Sequence, residues 1–354
     1  MRGLFLFFFL IGKFAVVQAS TYQPLAKQGV LDLRGWDLSK EVRLDGEWEF
    51  YWKQLEIPAD TSKRTYLMVP SLWNHAFING RKLTGTGYAT YYLRLLLPPE
   101  KKQLRMNMPA VYCAYKLYVN GIKAAENGKV SDNPYDFKPQ WINRIFTIPN
   151  QTDTVELVLQ VANFVHSKGG IKKSITIGDG NYVSLERRKI EAVDLFLTGC
   201  LFMGGLFFLG LYLLGNRDKA ILLFSLYSIV YCYRIIGIDN YVLHTLFPDF
   251  DWYWLIHLEY LSLFISIGLF TLYTKYLYPR DIKNWIINTI YIICFLFALI
   301  TLSVSPYYFS QLIEPFLIVT IFAILYALYV YFLAYKSKRR GSKYALLSTI
   351  ALMM

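Results

Sequence analysis

The sequence has few cysteines and few charged residues for its length. Its 354 residues include only four cysteines, too few and too scattered for a disulfide scaffold or a zinc site. Charged residues make up 18% of the chain, whereas about 25% is ordinary in soluble domains. Aromatic residues reach 18%, which excludes intrinsic disorder because disordered chains are poor in aromatics. With 55% hydrophobic residues, this composition indicates a membrane protein.

Signatures of catalysis are missing as well. The chain contains no GxSxG, HExxH, GxxxxGK[ST] or GxGxxG motif, and its four histidines are dispersed. We therefore predict no catalytic residue, no metal site and no cofactor. The formal net charge of +12 is compatible with nucleic-acid binding. The simpler explanation is that much of the excess lies in loops that face anionic lipid, so membrane lipid is the predicted partner and nucleic acid is not.

The N-terminus has the pattern of an export signal. A short basic start is followed by an apolar run, and Val17 and Ala19 place small residues before Ser20. Residues 1–19 are therefore predicted to be a signal peptide, and the chain after it starts outside the cytoplasm. Lys13 interrupts the apolar run, and a retained amphipathic anchor is the alternative.

Residues 20–185 have the composition of a soluble β-rich domain. Short alternating runs such as residues 154–161 are separated by turn dipeptides, among them Asn120-Gly121. Several strands at this spacing, without amphipathic helices between them, predict an exported jelly roll or other β-sandwich. Cys113 is the only cysteine of this domain and has no partner there for a disulfide.

Residues 186–354 are predicted to form a polytopic helical bundle. Five apolar runs of roughly 20 residues each have the length of membrane spans: 193–214, 220–238, 255–274, 285–304 and 312–335. A sixth run begins at Tyr344 and stops at Met354, and we expect the chain to be truncated within this sixth helix. The predicted fold class is therefore β plus membrane α, a sandwich followed by a bundle.

Lys and Arg residues predict the orientation of the bundle. They lie in the loops after the first, third and fifth spans, at positions 217, 219, 275, 280, 283, 336, 338, 339, 340 and 343. The alternate loops, 239–254 and 305–311, contain neither Lys nor Arg. This bias places the N-terminal domain outside the cytoplasm of a multi-pass protein of the bacterial inner membrane, in agreement with the export signal.

Four segments of the N-terminal domain carry a family resemblance: 44–50 (LDGEWEF), 69–74 (VPSLWN), 87–94 (GYATYYLR) and 116–121 (KLYVNG). Their order resembles the galactose-binding-like jelly roll that precedes the catalytic barrel in β-galactosidase and β-glucuronidase relatives. With the spans added, the chain resembles the bacterial seven-transmembrane receptors with diverse intracellular signalling modules (7TMR-DISM family). The resemblance implies a β-sandwich sensor, seven helices and a cytoplasmic output module. Only five complete spans and no output module are present here.

Stacking aromatics and polar groups near these segments are candidates for sugar recognition, since aromatic faces stack on sugar rings and amides or Arg bind hydroxyls. The candidate ligand-binding residues are Trp73, Asn74, Tyr88, Tyr92, Arg94 and Trp141. For Trp73, Tyr88 and Trp141, packing in the core is the alternative role. The ligand itself is predicted to be a carbohydrate-like small molecule or a periplasmic protein.

Three ionisable residues lie within the predicted spans, toward the outer leaflet: Arg234, Glu259 and Glu314. Such groups are costly in a bilayer unless paired, and mark functional positions. We predict that Arg234 pairs with Glu259 or Glu314 and forms a transmembrane switch between two packings of the bundle. A static clamp, or snorkelling of the two glutamates, is the alternative.

The sequence as a whole favours a transmembrane signal-transduction receptor. Its output module, such as a histidine kinase or a nucleotide cyclase, is absent from this chain. A homodimer is one arrangement compatible with this class of receptor. A membrane transporter or membrane-bound enzyme with an accessory carbohydrate module is the second hypothesis. Transporters show interrupted helices near mid-membrane, whereas Pro315 is the only proline within a predicted span. A scaffold protein without a small ligand is the third. The sequence leaves the ligand, the output and the oligomeric state open.

Overall fold

The computed structural model describes residues 23–56, 64–78, 80–99, 103–148, 152–215 and 217–353. The predicted signal peptide lies outside this range. In the described chain a β-sandwich is followed by a set of helices, as the composition predicts.

The sandwich is built from strands of two to ten residues. Their bounds are β1 Val30–Asp32, β2 Val42–Arg43, β3 Gly46–Trp52, β4 Tyr66–Val69, β5 Ser71–Leu72, β6 Phe77–Ile78, β7 Arg81–Lys82, β8 Gly87–Leu96, β9 Leu104–Met108, β10 Ala114–Val119, β11 Ile122–Asn127, β12 Arg144–Thr147, β13 Thr154–Asn163, β14 Gly170–Ile171 and β15 Thr176–Asp179.

Two larger sheets form the layers of the sandwich. A seven-stranded sheet has the order β11-β10-β13-β8-β3-β4, with β1 parallel to β8, and a four-stranded sheet has the order β12-β9-β15-β2. Alternate residues of β8, such as Tyr91 and Leu93, enter a core shared with Met106 and Ile177 of the smaller sheet. The galactose-binding-like jelly roll remains a prediction; the sandwich itself is observed.

The predicted Asn120-Gly121 turn is present between β10 and β11. Both residues have positive φ, +49° and +75°, as a two-residue hairpin turn with the twist of its strands requires. Asn120 Oδ1 also accepts a hydrogen bond from the backbone N–H of Glu156 on β13, at 2.8 Å, which ties the turn to the next strand.

The helices follow the sandwich. Their bounds are α1 Gly180–Leu214, α2 Lys219–Ile236, α3 Val242–Leu246, α4 Trp252–Leu277, α5 Asn284–Ser303, α6 Pro306–Phe309, α7 Ile313–Lys336 and α8 Ser342–Met353. Within the residues that the structure describes, five segments are long and apolar enough to cross a membrane: α1, α2, α4, α5 and the stretch from α6 through α7. They coincide with the five predicted spans, and α8 with the incomplete sixth.

Helix α1 continues directly from the last strand of the sandwich. Asp179 ends β15 and caps α1, because its Oδ1 accepts the backbone N–H groups of Asn181 and Tyr182 at 3.0 and 3.1 Å. With 35 residues, α1 is about 52 Å long, whereas the hydrocarbon core is about 30 Å thick. Its first turns therefore lie outside the bilayer, where the side chain of Arg105 on β9 donates to the carbonyl of Gly180 at 3.4 Å.

Candidate functional site at the junction of sandwich and helices

The six predicted ligand-binding residues lie in separate places. Tyr92 and Arg94 are on the outer face of β8, where Glu156 accepts from Tyr92 Oη at 2.8 Å and from Arg94 Nη2 at 3.2 Å. Burial and the hydrogen bond to Glu156 raise the pKa of Tyr92. This face therefore carries a partly exposed Tyr–Arg–Glu group, made from two neighbouring strands.

Trp73 and Asn74 hold the interior of the sandwich together. Trp73 is fully buried, and its Nε1 donates to Tyr91 Oη at 2.6 Å. Asn74 fastens the loop after β13, since its Nδ2 donates to the carbonyl of Ser167 at 2.9 Å and its Oδ1 accepts from the amide of Gly169 at 3.2 Å. Trp73 thus has the packing role that the sequence leaves open.

Trp141 lies at the junction between the sandwich and the helices, only 3% exposed. Ring centroids at 5.3 to 5.8 Å surround it, those of Tyr112 and His166 from the sandwich and those of Tyr241 and Trp252 from the helical region. We call these five residues the junction cluster. Tyr88, also predicted to bind ligand, is half-buried near Phe164, with centroids 6.5 Å apart, and stands outside the cluster.

The junction cluster belongs to a hydrophobic core that crosses between the two regions. Phe137 and Trp141 of the sandwich share this core with Tyr260 and Phe264 of α4 and with Phe309 of α6. Burying aromatic surface is the largest attractive contribution in such a contact. The sandwich and the bundle are therefore packed against each other as one unit.

His166 is a junction residue that sequence reasoning missed, because a lone histidine carries no pattern. It is 2% exposed, and its ring stacks on Tyr112 with centroids 4.6 Å apart. Its Nδ1 lies 2.9 Å from the backbone nitrogen of Lys168 and 3.1 Å from the carbonyl oxygen of the same residue, so the tautomer decides whether it accepts from the N–H or donates to the carbonyl. Burial lowers the pKa of His166 to about 3.

Polar contacts surround this apolar centre. Lys173 Nζ lies 2.6 Å from Asp239 Oδ1, in the loop between α2 and α4. Asn143 Nδ2 donates to the carbonyl of Asn240 in the same loop, at 3.2 Å. Ser310, which follows α6, donates to Ser167 Oγ at 2.7 Å. The two loops predicted to lie outside thus both contact the sandwich.

The predicted pairing of Arg234 with a carboxylate stays a prediction. Arg234 lies beside Glu259, one of its two predicted partners, and its Nη1 donates to the backbone carbonyl of Glu259 at 3.2 Å. Glu314 pairs with Lys168 of the sandwich, with Nζ and Oε1 3.2 Å apart. The prediction considered partners within the bundle only, whereas the docked sandwich supplies the cation for Glu314. All three residues do lie at the sandwich end of the bundle.

A cavity of about 40 Å³ opens beside the junction cluster. Glu259 of α4 lines one wall, and its Oε2 is buried without a hydrogen-bond partner. Lys172 and Asn143 from the sandwich also line the cavity. Among the described residues, no three His, Cys, Asp or Glu side chains come together to hold a metal ion.

Solved structures similar to this chain include glycosidases. They include a β-glucuronidase from an uncultured Clostridium sp. (14% identity, TM-score 0.32, 44% of this chain and 30% of that chain) and one from Ruminococcus gnavus (14%, 0.31, 39% and 27%). A β-glycosidase from Bacteroides vulgatus is 14% identical, with a TM-score of 0.29, over 39% of this chain and 20% of that one. The chain thus spans less than a third of their length.

No curated protein matches the chain. A family model matches the helical half, over residues 190–354, and its description is 7TM diverse intracellular signalling. This match covers the five spanning segments and α8, and it confirms the family that the sequence resembles. Residues 190–354, from the second part of α1 onward, are therefore similar to the seven-transmembrane family of diverse intracellular signalling.

Proposed function

We propose that this chain is the sensing and membrane-spanning part of a transmembrane receptor. In this proposal the sandwich responds to a carbohydrate-like small molecule or a periplasmic protein outside the cytoplasm. The helices pass the response to a cytoplasmic output module such as a histidine kinase or a nucleotide cyclase. The family of residues 190–354 supports the receptor class.

One observation carries the proposal: the hydrophobic core that is continuous from the sandwich into the helices. Packed interiors have low compressibility and transmit displacement, so a shift of Trp141 must move Trp252 at the start of α4. Helix α1 provides a second rigid connection, because it runs without interruption from β15 through the span. A sandwich that served only as an accessory module would need neither connection.

The orientation in this proposal is supported by which loops contact the sandwich. It docks at the end of the bundle where the loops without Lys and Arg lie, 239–254 and 305–311. The basic loops, including residues 336–343, join the opposite ends of the spans. Under the positive-inside rule, this supports a sandwich that lies outside the cytoplasm of a bacterial inner membrane.

The test weakens the packing of the junction cluster by mutation and measures amide hydrogen exchange at the opposite end of the bundle. We expect Trp141→Ala to remove about 3–5 kcal/mol of packing and to speed amide hydrogen exchange in residues 278–283 and 337–341. The measurement uses the whole chain in lipid nanodiscs. Tyr135→Ala is the matched control, since Tyr135 is 96% exposed on the same domain. Faster exchange confined to the sandwich would contradict the proposed relay.

A further inference from the structure

We propose that the cavity beside the junction cluster is the ligand site, and that it binds a small, uncharged, hydroxylated molecule by parting the sandwich from the bundle. This inference rests on the proposed receptor function and adds to it a place, a ligand chemistry and a mechanism. The cavity lies at the interface between the sandwich and the helical region, and small-molecule sites are commonly found at such interfaces.

The unpartnered carboxylate oxygen of Glu259 is the first argument. Its Oε2 is shielded from solvent and accepts no hydrogen bond from the described residues, although burying a charged group without partners is costly. It lines the cavity, so a donor placed there would satisfy it. A ligand hydroxyl or amine is such a donor.

The charges around the cavity favour a neutral ligand. Lys173 is already paired with Asp239, and the guanidinium of Arg234 lies against the backbone of Glu259. An anion in the cavity would face the carboxylate of Glu259, and a cation would face the ammonium group of Lys172. A hydroxyl both donates and accepts, so one polyol can donate to Glu259 and accept from Lys172.

The other walls suit the apolar face of such a molecule. The rings of Tyr112, Trp141 and Tyr241 line the cavity together with the amide of Asn143. Aromatic rings offer large rigid surfaces for stacking, and an amide adds one donor and one acceptor. Donor, acceptor and stacking groups therefore converge on the same space.

The size of the cavity links binding to movement. A volume of about 40 Å³ holds no more than a few water molecules. A larger ligand fits only if the walls separate, and these walls are joined by the Lys173–Asp239 ion pair and the Asn143–Asn240 hydrogen bond. Ligand binding then selects a state in which the sandwich stands away from the loop between α2 and α4.

The test titrates the whole chain in nanodiscs with glucose, galactose and mannose, and with glucuronate and glucosamine as charged analogues, by calorimetry. We expect at least one neutral hexose to bind saturably and both charged analogues to bind about tenfold more weakly. Glu259→Gln should weaken hexose binding about tenfold, the loss of a charge-assisted hydrogen bond. Glu126→Gln is the control, because Glu126 pairs with Lys123 on β11, within the sandwich and outside the cavity lining.

Two further measurements complete the design. Lys172→Met, at an exposed position, should also weaken hexose binding. If Glu259→Gln fails to fold, the Lys172→Met variant alone tests whether the hexose binds in this cavity. Bound hexose should speed hydrogen exchange in residues 237–241. The inference is overturned if no neutral hexose binds, or if both variants bind as the unaltered chain does. The receptor proposal survives that outcome provided that Trp141→Ala still alters exchange in residues 337–341.

Discussion

At the scale of single residues, His166 makes the junction sensitive to pH. Its ring is buried between Tyr112 and Trp141, with Lys168 and Lys172 as the charged neighbours. Both lysines and the burial oppose protonation, and the pKa falls from 6.5 to about 3. Acid therefore favours the unfolded chain, where the ring protonates first. The stabilisation is complete above about pH 6.5 and declines as the pH falls from there toward about 3.

We expect the free energy of unfolding to drop by about 2 kcal/mol between about pH 7 and about pH 5 because of this residue. His166→Phe keeps a ring on Tyr112 but removes the titration, so this part of the pH dependence should vanish. Denaturant unfolding followed by tryptophan fluorescence at both pH values measures it. An unchanged pH dependence in the His166→Phe variant would contradict the assignment.

Single residues also show where sequence reasoning stops. Trp73 and Trp141 have the same chemistry, yet one bonds Tyr91 inside the sandwich and the other packs on Trp252 of the helices. Those partners are set by tertiary contacts that no local pattern encodes. The same holds for Glu314, whose cation, Lys168, is 146 positions away in the other region.

At the scale of elements, the sequence predicts the spans well and their ends poorly. Apolar length alone identifies a membrane helix, so all five spans were predicted. Helix α1 begins at Gly180, well before the predicted span at 193. The hydropathy pattern misses this early start because the first turns of the helix carry Arg187, Arg188 and Lys189. These basic residues lie on the part of α1 that extends toward the sandwich.

Three hydrogen bonds of Asn240 hold the loop between α2 and α4 against α1 and the sandwich. Asn240 Nδ2 donates to the buried Asp194 of α1 at 2.7 Å. Its carbonyl accepts from Arg187 of α1 at 3.0 Å and from Asn143 of the sandwich at 3.2 Å. This residue therefore couples α1, the loop and the sandwich.

We expect Asn240→Ala to leave Asp194 without its donor, at a cost of about 1–3 kcal/mol. Helix α3, in the same loop, should then exchange its amide hydrogens roughly tenfold faster. Mass-spectrometric hydrogen exchange of residues 242–246 measures this. Thr245→Ala serves as the control, because the Thr245 hydroxyl donates to the carbonyl of Tyr241, the residue just before α3, and not to the sandwich or α1. Unchanged exchange in the Asn240 variant would show that the loop is held by packing alone.

At the scale of the whole molecule, the structure and the charge pattern both distinguish two opposite ends of the bundle. The sandwich and the loops that touch it form one end, joined by Lys173–Asp239, Lys168–Glu314 and the junction cluster. The basic segment between α7 and α8 lies at the other. Sequence periodicity and charge predict the sandwich and the basic end separately. The core shared by the sandwich and the helices could not be predicted, because in each region its residues have the pattern of ordinary core packing.

This arrangement predicts which residues a membrane-impermeant maleimide reaches in intact spheroplasts. A Tyr135→Cys variant should be labelled, because the positive-inside rule puts the sandwich outside. A Lys338→Cys variant, in the basic segment, should be labelled only after the membrane is opened. Both are made with Cys200→Ser, since Cys200 is exposed whereas Cys113, Cys232 and Cys294 are buried. Labelling of the Lys338→Cys variant in intact spheroplasts would contradict the proposed orientation, and with it the proposed direction of signalling from the junction to the cytoplasm.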